Sequence, residues 1–367
     1  MQAETTASPL LKEIFNRERL RHIATETAAV CPGFDKDRFL ILATENLDAL
    51  GIMQRLRQVA TSLHQTLPGG FPENVEVLHA LAPRIGHGFA SIALPEYVAL
   101  YGKAHFDLSM ESLRFLTRFG SSEFAIRPFL ARDLRRALDV METWARDDNE
   151  HVRRLASEGC RPRLPWSFQI KELVADPSPV ATILETLKSD PSPYVRKSVA
   201  NHLNDITKDS PAWVLERLDT WPMDDARTAW IVKHALRTLI KKGDPRALGL
   251  IGAGDKPEVR IDDFAVAPAA ITLGQRIRMD ARLVSISDAP QRLVVDYAVR
   301  YVRKGGSPSR KVFKLKTVDL APRAACDLAV GQTIRDFTTR KHYPGRHLVE
   351  LLVNGEVLAE SGFDLAI

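Results

Sequence analysis

The chain has 367 residues, 45% of them apolar and 26% charged, the balance of a soluble folded protein long enough for two domains, and it favours neither disorder nor membrane insertion. The N-terminus carries acids where a signal peptide needs a basic start and an apolar run. Three scattered cysteines form neither a disulfide framework nor a zinc site, so residence in the cytoplasm is expected. Of the formal net charge of +5, four units lie from Pro257 onward, where 17 Lys and Arg face 13 Asp and Glu. This suits a polyanionic partner without demanding one.

Up to about Gly252 apolar residues recur at three- and four-residue spacing between Pro, Gly, Asp and Ser, the pattern of successive helices. Glu123 follows Ser121-Ser122 at an expected helix start, a place where an acid caps the helix. Asn149-Glu-His-Val-Arg-Arg-Leu-Ala156 then aligns with Ser192-Pro-Tyr-Val-Arg-Lys-Ser-Val199 at a shift of 43 residues from Val152 to Val195. That is a HEAT-like period of two antiparallel helices per unit, whose second helices line a concave surface. Glu158 ends the first of these second helices, where the helix dipole disfavours an anion, so Arg153, Arg154, Arg161 and Arg163 are expected to compensate it. Trp166 stands in the Pro-rich loop Arg161-Pro-Arg-Leu-Pro-Trp166, either core or ligand-facing.

In the next second helix, expected over 193–207, Val195, Val199, Leu203 and Ile206 form the buried stripe. Lys197, Asn201 and Asp205 share another face, which places Asp205 outward. A degenerate third unit spans Thr228–Lys242. Its Trp230, His234, Arg237 and Lys241, with Lys233 beside them, make a basic stripe suited to phosphate or simply to water.

Gly252–Pro257 reads as a flexible linker, dividing the chain into a helical-repeat domain, 1–254, and a β domain, 257–367. Beyond it, Ile277, Met279, Ala281 and Leu283 alternate with polar residues, as do Val295, Tyr297, Val299 and Tyr301. About seven strands are expected, most simply an immunoglobulin-like sandwich, with Tyr343 as its hydroxyl-to-backbone corner. The hairpin Arg303-Lys-Gly-Gly-Ser-Pro-Ser-Arg-Lys311 carries four basic residues and two glycines, which let a backbone approach a charged groove closely. The fold class is thus mainly α, a HEAT-like helical-repeat superhelix followed by an all-β immunoglobulin-like sandwich.

No phosphate-binding loop, HExxH or GxSxG motif occurs, and neither a metal nor a cofactor is expected. Three stretches do carry a resemblance: Ser122-Glu-Phe-Ala-Ile-Arg-Pro-Phe129, the run from Val152 to Trp166, and the run from Ser192 to Asp205. Together they resemble the AlkC branch of the AlkC/AlkD superfamily of bacterial alkylpurine DNA glycosylases, over nearly the whole chain. The resemblance implies a monomer that grips double-stranded DNA containing alkylated bases and excises cationic N3-alkylated bases such as 3-methyladenine, without flipping the base into a deep pocket. It assigns the catalytic positions to Glu123, Glu158, Trp166 and Asp205. The residues expected to hold DNA are Arg154, Arg161, Arg163, Arg196 and Lys197 near the acids, Lys233, His234, Arg237 and Lys241 in the third unit, and Arg303, Lys304, Gly305, Gly306, Arg310 and Lys311 in the hairpin.

These residue types suit that chemistry. Alkylation has already made the base a cationic leaving group, so no strong general acid is needed. Carboxylates stabilise the oxocarbenium ion left on the sugar, Asp205 or Glu158 orients the attacking water, and an indole stacks on a cation. The competing readings are a non-catalytic HEAT-repeat scaffold that binds DNA or protein, in which the acids are dispensable, and a protein-docking adaptor that does not bind DNA.

Overall fold

The computed structural model describes residues 10–305, 307–337 and 340–367. They divide into two compact units, one ending at Ser210 and one running from Pro211 to Ile367. α-Helices follow one another from Arg17–Val30 to Pro245–Leu250, and strands occupy the remainder.

In the first unit the 43-residue repeat has a specific local cause. The helix Glu150–Glu158 is capped by Asn149, whose side chain accepts the His151 N–H, and the helix Pro193–Ile206 is capped by Ser192, which accepts the Tyr194 N–H. In front of each cap stands an aspartate. Asp147 accepts the Asn149 N–H at 2.9 Å, and Asp190 accepts the Ser192 N–H at 2.8 Å. Each aspartate is also gripped by an arginine of the preceding unit: Arg114 donates to Asp147 at 2.8 Å and Arg153 to Asp190 at 2.6 Å. Arg153 and Arg196 further donate to the carbonyls of Asp147 and Asp148, and of Asp190 and Pro191, each at the same offset. The repeat is therefore a pattern of caps and staples as well as of apolar spacing. Val152, Leu155, Val195, Val199 and Leu203 are buried, and a close contact of this kind leaves no room for a side chain at Gly159, where a Cβ would lie 2.6 Å from Ile126.

The second unit holds both the last helices and the strands, so the third helical unit packs in one body with the β domain. Among the described residues eight strands form two sheets: β1 (Val259–Ala267), β2 (Ala270–Thr272), β3 (Arg276–Ser285), β4 (Gln291–Tyr301), β5 (Ser309–Leu320), β6 (Ala325–Thr333), β7 (Gly345–Val353) and β8 (Glu356–Ala366). The sheet orders are β1-β3-β6 and β2-β8-β7-β4-β5. The strand beyond the expected seven is β2, three residues long and parallel to β8, too short to show alternation in sequence. Ile277, Met279, Tyr297, Val299, Val349 and Phe363 fill one part of the core, and Leu283, Leu293, Val295, Leu351 and Val353 the other.

The stretch read as a flexible linker is pinned within this unit. Ala253 is buried, and the Asp255 carbonyl accepts from the Asn354 side chain at 3.0 Å. Asn354 and Gly355, both at positive φ, make the two-residue β7–β8 turn. A Cβ on Gly355 would come 2.3 Å from Cα of Gly243 in the helical segment.

Beside this contact a crevice of about 60 Å³ is lined by Lys233, Arg237, Lys241, Asp296 and Lys314. Burial pushes the Asp296 carboxyl up to about 6, against the pull of Lys241 and Lys314. Because its folded pKa exceeds the unfolded 3.8, the group's favourable contribution is full below pH 3.8 and lost as pH rises to about 6. Asp296→Asn should then raise the melting temperature at pH 8, by the equivalent of about 3 kcal/mol, with the gain gone near pH 4. A constant gain from pH 4 to 8 in calorimetry would show that the carboxyl carries no such cost.

Candidate active site

Glu158 and Asp205 belong to different helices, Glu150–Glu158 and Pro193–Ile206, and lie only 5% and 3% exposed. Asp205 therefore faces inward, not outward as its helical face suggests. The reason is Arg161, itself 7% exposed, which lies in the turn after Glu158. Its Nη1 donates to Glu158 Oε1 at 2.6 Å, its Nε donates to Asp205 Oδ2 at 2.8 Å, and its Nη2 reaches the same oxygen at 2.6 Å. A buried carboxylate is tolerable when a forked guanidinium satisfies it. Burial lowers the Arg161 pKa, but Glu158 and Asp205 together more than offset that, leaving it raised.

The outer oxygens are also occupied. Ser198 donates to Glu158 Oε2 at 2.6 Å, and Lys208 to Asp205 Oδ1 at 2.8 Å. Glu123 lies in the turn before the helix Arg127–Arg132, and its carboxylate does not cap that helix. It accepts from Ser121 at 2.7 Å and from Arg154 at 2.6 Å, while Arg154 also lies 3.5 Å from Glu158 and stacks over the Tyr194 ring. Three acids are thus joined in one network through Arg154 and Arg161. Trp166 follows on the loop after Arg161, 60% exposed, with φ +65° and its ring edge-on to Phe89 at 6.2 Å. An indole so exposed is free to meet a ligand.

The basic residues sort by their partners. Arg154 and Arg161 are engaged with the acids, Arg163 with Asp209 at 2.7 Å, and Arg196 with two carbonyls. Lys197 is exposed. In the second unit Lys233, Arg237 and Lys241 line the crevice beside Asp296, and His234 stacks on Trp230 at 3.8 Å. Arg303, Lys304, Gly305 and Lys311 line a concavity of about 710 Å³, joined by Arg340 and Lys341 from the segment before β7. Period two puts Arg310 on the other face of β5, where it and Arg300 bind the wholly buried Glu350. Gly306 lies outside the described residues. Tyr343 lines the concavity, and its carbonyl accepts from the His347 ring at 3.1 Å; its hydroxyl makes no bond to a described residue, so it is not the expected corner.

Sequence reasoning missed Ser121, Ser198 and Lys208, which bond the acids, and Arg127. Ser198 leaves a signal in hindsight, a small polar residue beside the buried stripe. The others are specified only by packing.

Two family models match. One, described as the DNA alkylation repair enzyme, covers residues 117–239, and the other, the C-terminal Ig-like domain of the uncharacterised protein YhaZ, covers 260–367. Uncharacterized protein YhaZ of Bacillus subtilis is 40% identical over 348 residues, 95% of this chain and 97% of its own. The Pseudomonas fluorescens alkylpurine DNA glycosylase AlkC, solved bound to DNA containing an abasic site analog, is 55% identical with a TM-score of 0.95, covering 98% of this chain and 100% of its own. The chain belongs to the AlkC branch of the DNA alkylation repair family and is a DNA glycosylase. No helix among the described residues is long and apolar enough to cross a membrane.

Beside the acids His202 is wholly buried, and its pKa is pushed down to about 4 by burial first and by Arg161 second. The unfolded imidazole titrates at 6.5, so its contribution is full above that pH and lost as pH falls towards 4. His202→Leu should remove about 3 kcal/mol of this acid sensitivity. Unfolding free energies of the two proteins that run parallel between pH 7 and 4 would refute it.

Proposed function

We propose that the chain hydrolyses the N-glycosidic bond of cationic N3-alkylated bases, 3-methyladenine among them, in double-stranded DNA, acting as a cytoplasmic monomer and without placing the base in a deep pocket. The observation that carries this reading is the pair of buried carboxylates bridged by one guanidinium, with an exposed indole on the loop that follows.

The glycosidic bond breaks with its electron pair going to the base, which leaves neutral, while the sugar becomes an oxocarbenium ion. Carboxylates fixed in a partly desolvated site stabilise that charge without reorganising. Trp166 offers its ring face to the cationic base, an attraction of roughly 0.5–2 kcal/mol that a neutral base lacks. Selectivity for charged adducts follows.

Water then adds at C1′ and gives up a proton. Of the two buried acids, Asp205 suits this step better, because the Lys208 chain on its Oδ1 is half-exposed and free to swing away. Glu158 is held on both oxygens by buried donors and serves as a fixed charge. That the solved relative is bound to an abasic site analog agrees with a surface built for the product of this cleavage. The basic concavity of the second unit and Lys197 are read as phosphate contacts, whereas Arg154 and Arg161 are read as supports for the acids.

Replacing Asp205 by Asn should lower single-turnover excision of 3-methyladenine by about 10²-fold or more, with a much smaller change in DNA affinity. Equal losses in rate and affinity would show that Asp205 only holds the protein or the DNA. Affinity should fall steeply with salt, and K304A/K311A/R340A should reduce the log–log slope by up to about 0.9 per lost phosphate contact. An unchanged slope would remove the concavity from the interface.

A further inference from the structure

Arg127 is wholly buried yet forms no ion pair with a described residue. Its Nη1 donates to the carbonyls of Gly159 at 3.0 Å and Arg161 at 2.8 Å, its Nη2 donates to the carbonyl of Phe168, and its guanidinium lies over the Phe168 ring at 5.3 Å. Its Nε has no hydrogen-bond partner among the described residues. Burial draws its pKa down to about 10, which still leaves a cation at neutral pH. A buried charge without a counter-ion is costly, and all its donated bonds go to one loop.

That loop is the one that carries Arg161 and Trp166. It is otherwise closed by few bonds, among them Ser167 N–H to Leu164 O at 3.3 Å and Ile170 N–H to Pro162 O at 3.1 Å. Within it Trp166 holds φ +65°, a left-handed conformation that a bulky residue keeps only when its surroundings impose it. Gripping both ends of the loop, at Gly159–Arg161 and at Phe168, is a way to impose it. Only the planar fork of an arginine reaches all three carbonyls.

We propose that Arg127 is a positioning residue for base excision: by clamping both ends of the 159–168 loop it holds Trp166 out towards the DNA. This rests on the roles given above to Trp166 and the acids. A group that merely satisfied three carbonyls would affect folding alone; a clamp acts on the chemical step, and acts through Trp166.

The test uses the full chain and a duplex holding one 3-methyladenine, with affinity measured on an abasic-site duplex. Arg127→Lys keeps the charge but not the fork. It should lower the single-turnover rate by about tenfold or more while affinity stays within about threefold, and in a W166A background it should add less than about twofold. Phe168→Ala removes a half-exposed ring from beneath the Arg127 guanidinium and leaves the three carbonyls in place; it should give a smaller loss that W166A also masks. R127K losses that multiply in full with an impaired W166A, or that match the loss of affinity, overturn the proposal alone. Should R127K not fold, F168A decides, and full activity there overturns it. Wild-type excision by W166A would instead remove Trp166 from the reaction, and the proposed route with it.

Discussion

Arg161 bridges Glu158 and Asp205 across two helices that belong to successive repeats, and the arrangement of the site depends on that fork. Three buried charges would separate, or neutralise, if any one lost its partner; removing one member of such a network typically costs about 3–5 kcal/mol. The same guanidinium satisfies two carboxylates in a desolvated place. Stability and chemistry are therefore carried by the same bonds at this point, and a loss of activity on mutation has to be separated from a loss of fold by measuring both.

The repeat supplies the rigidity for this. Asp147 and Asp190 each take one amide of their own unit and one arginine of the unit before, so neighbouring units are tied by charge as well as by apolar contact. Helices held in this way present Glu158 and Asp205 at a fixed spacing, which is what electrostatic stabilisation of a short-lived cation requires. Trp166, by contrast, stands on a loop, and a loop needs its own restraint.

Charge is distributed in two different manners in the two units. In the first, the arginines nearest the acids face inward and compensate them. In the second, Arg303, Lys304, Lys311, Arg340 and Lys341 gather around one concavity, with Lys341 bound to Asp336 and Arg303 to Ser309. Cations without an acid of their own among the lining residues are available to phosphates, whereas paired ones are not. Counting basic residues in a stretch of sequence does not separate these cases.

The sequence by itself determined the helical repeat, the change to strands near Gly252 and the residue types of the site, because apolar periodicity, capping residues and turns are local properties. It also brought Glu123, Glu158, Trp166 and Asp205 forward together, through the motifs that carry the family resemblance. Only the tertiary structure decided that Asp205 is buried, that of the four arginines expected to compensate Glu158 it is Arg154 and Arg161 that serve the acids, that Arg310 binds Glu350, that the third helical unit packs with the β domain, and that Arg127 grips the loop. The side-chain contacts depend on groups some 30 to 45 residues apart meeting at hydrogen-bond distance, and the packing of the third unit on the close approach of Gly243 and Gly355. Helical periodicity gives the face on which a side chain lies, but the partner that covers that face, and so its burial and charge state, is set by packing between elements.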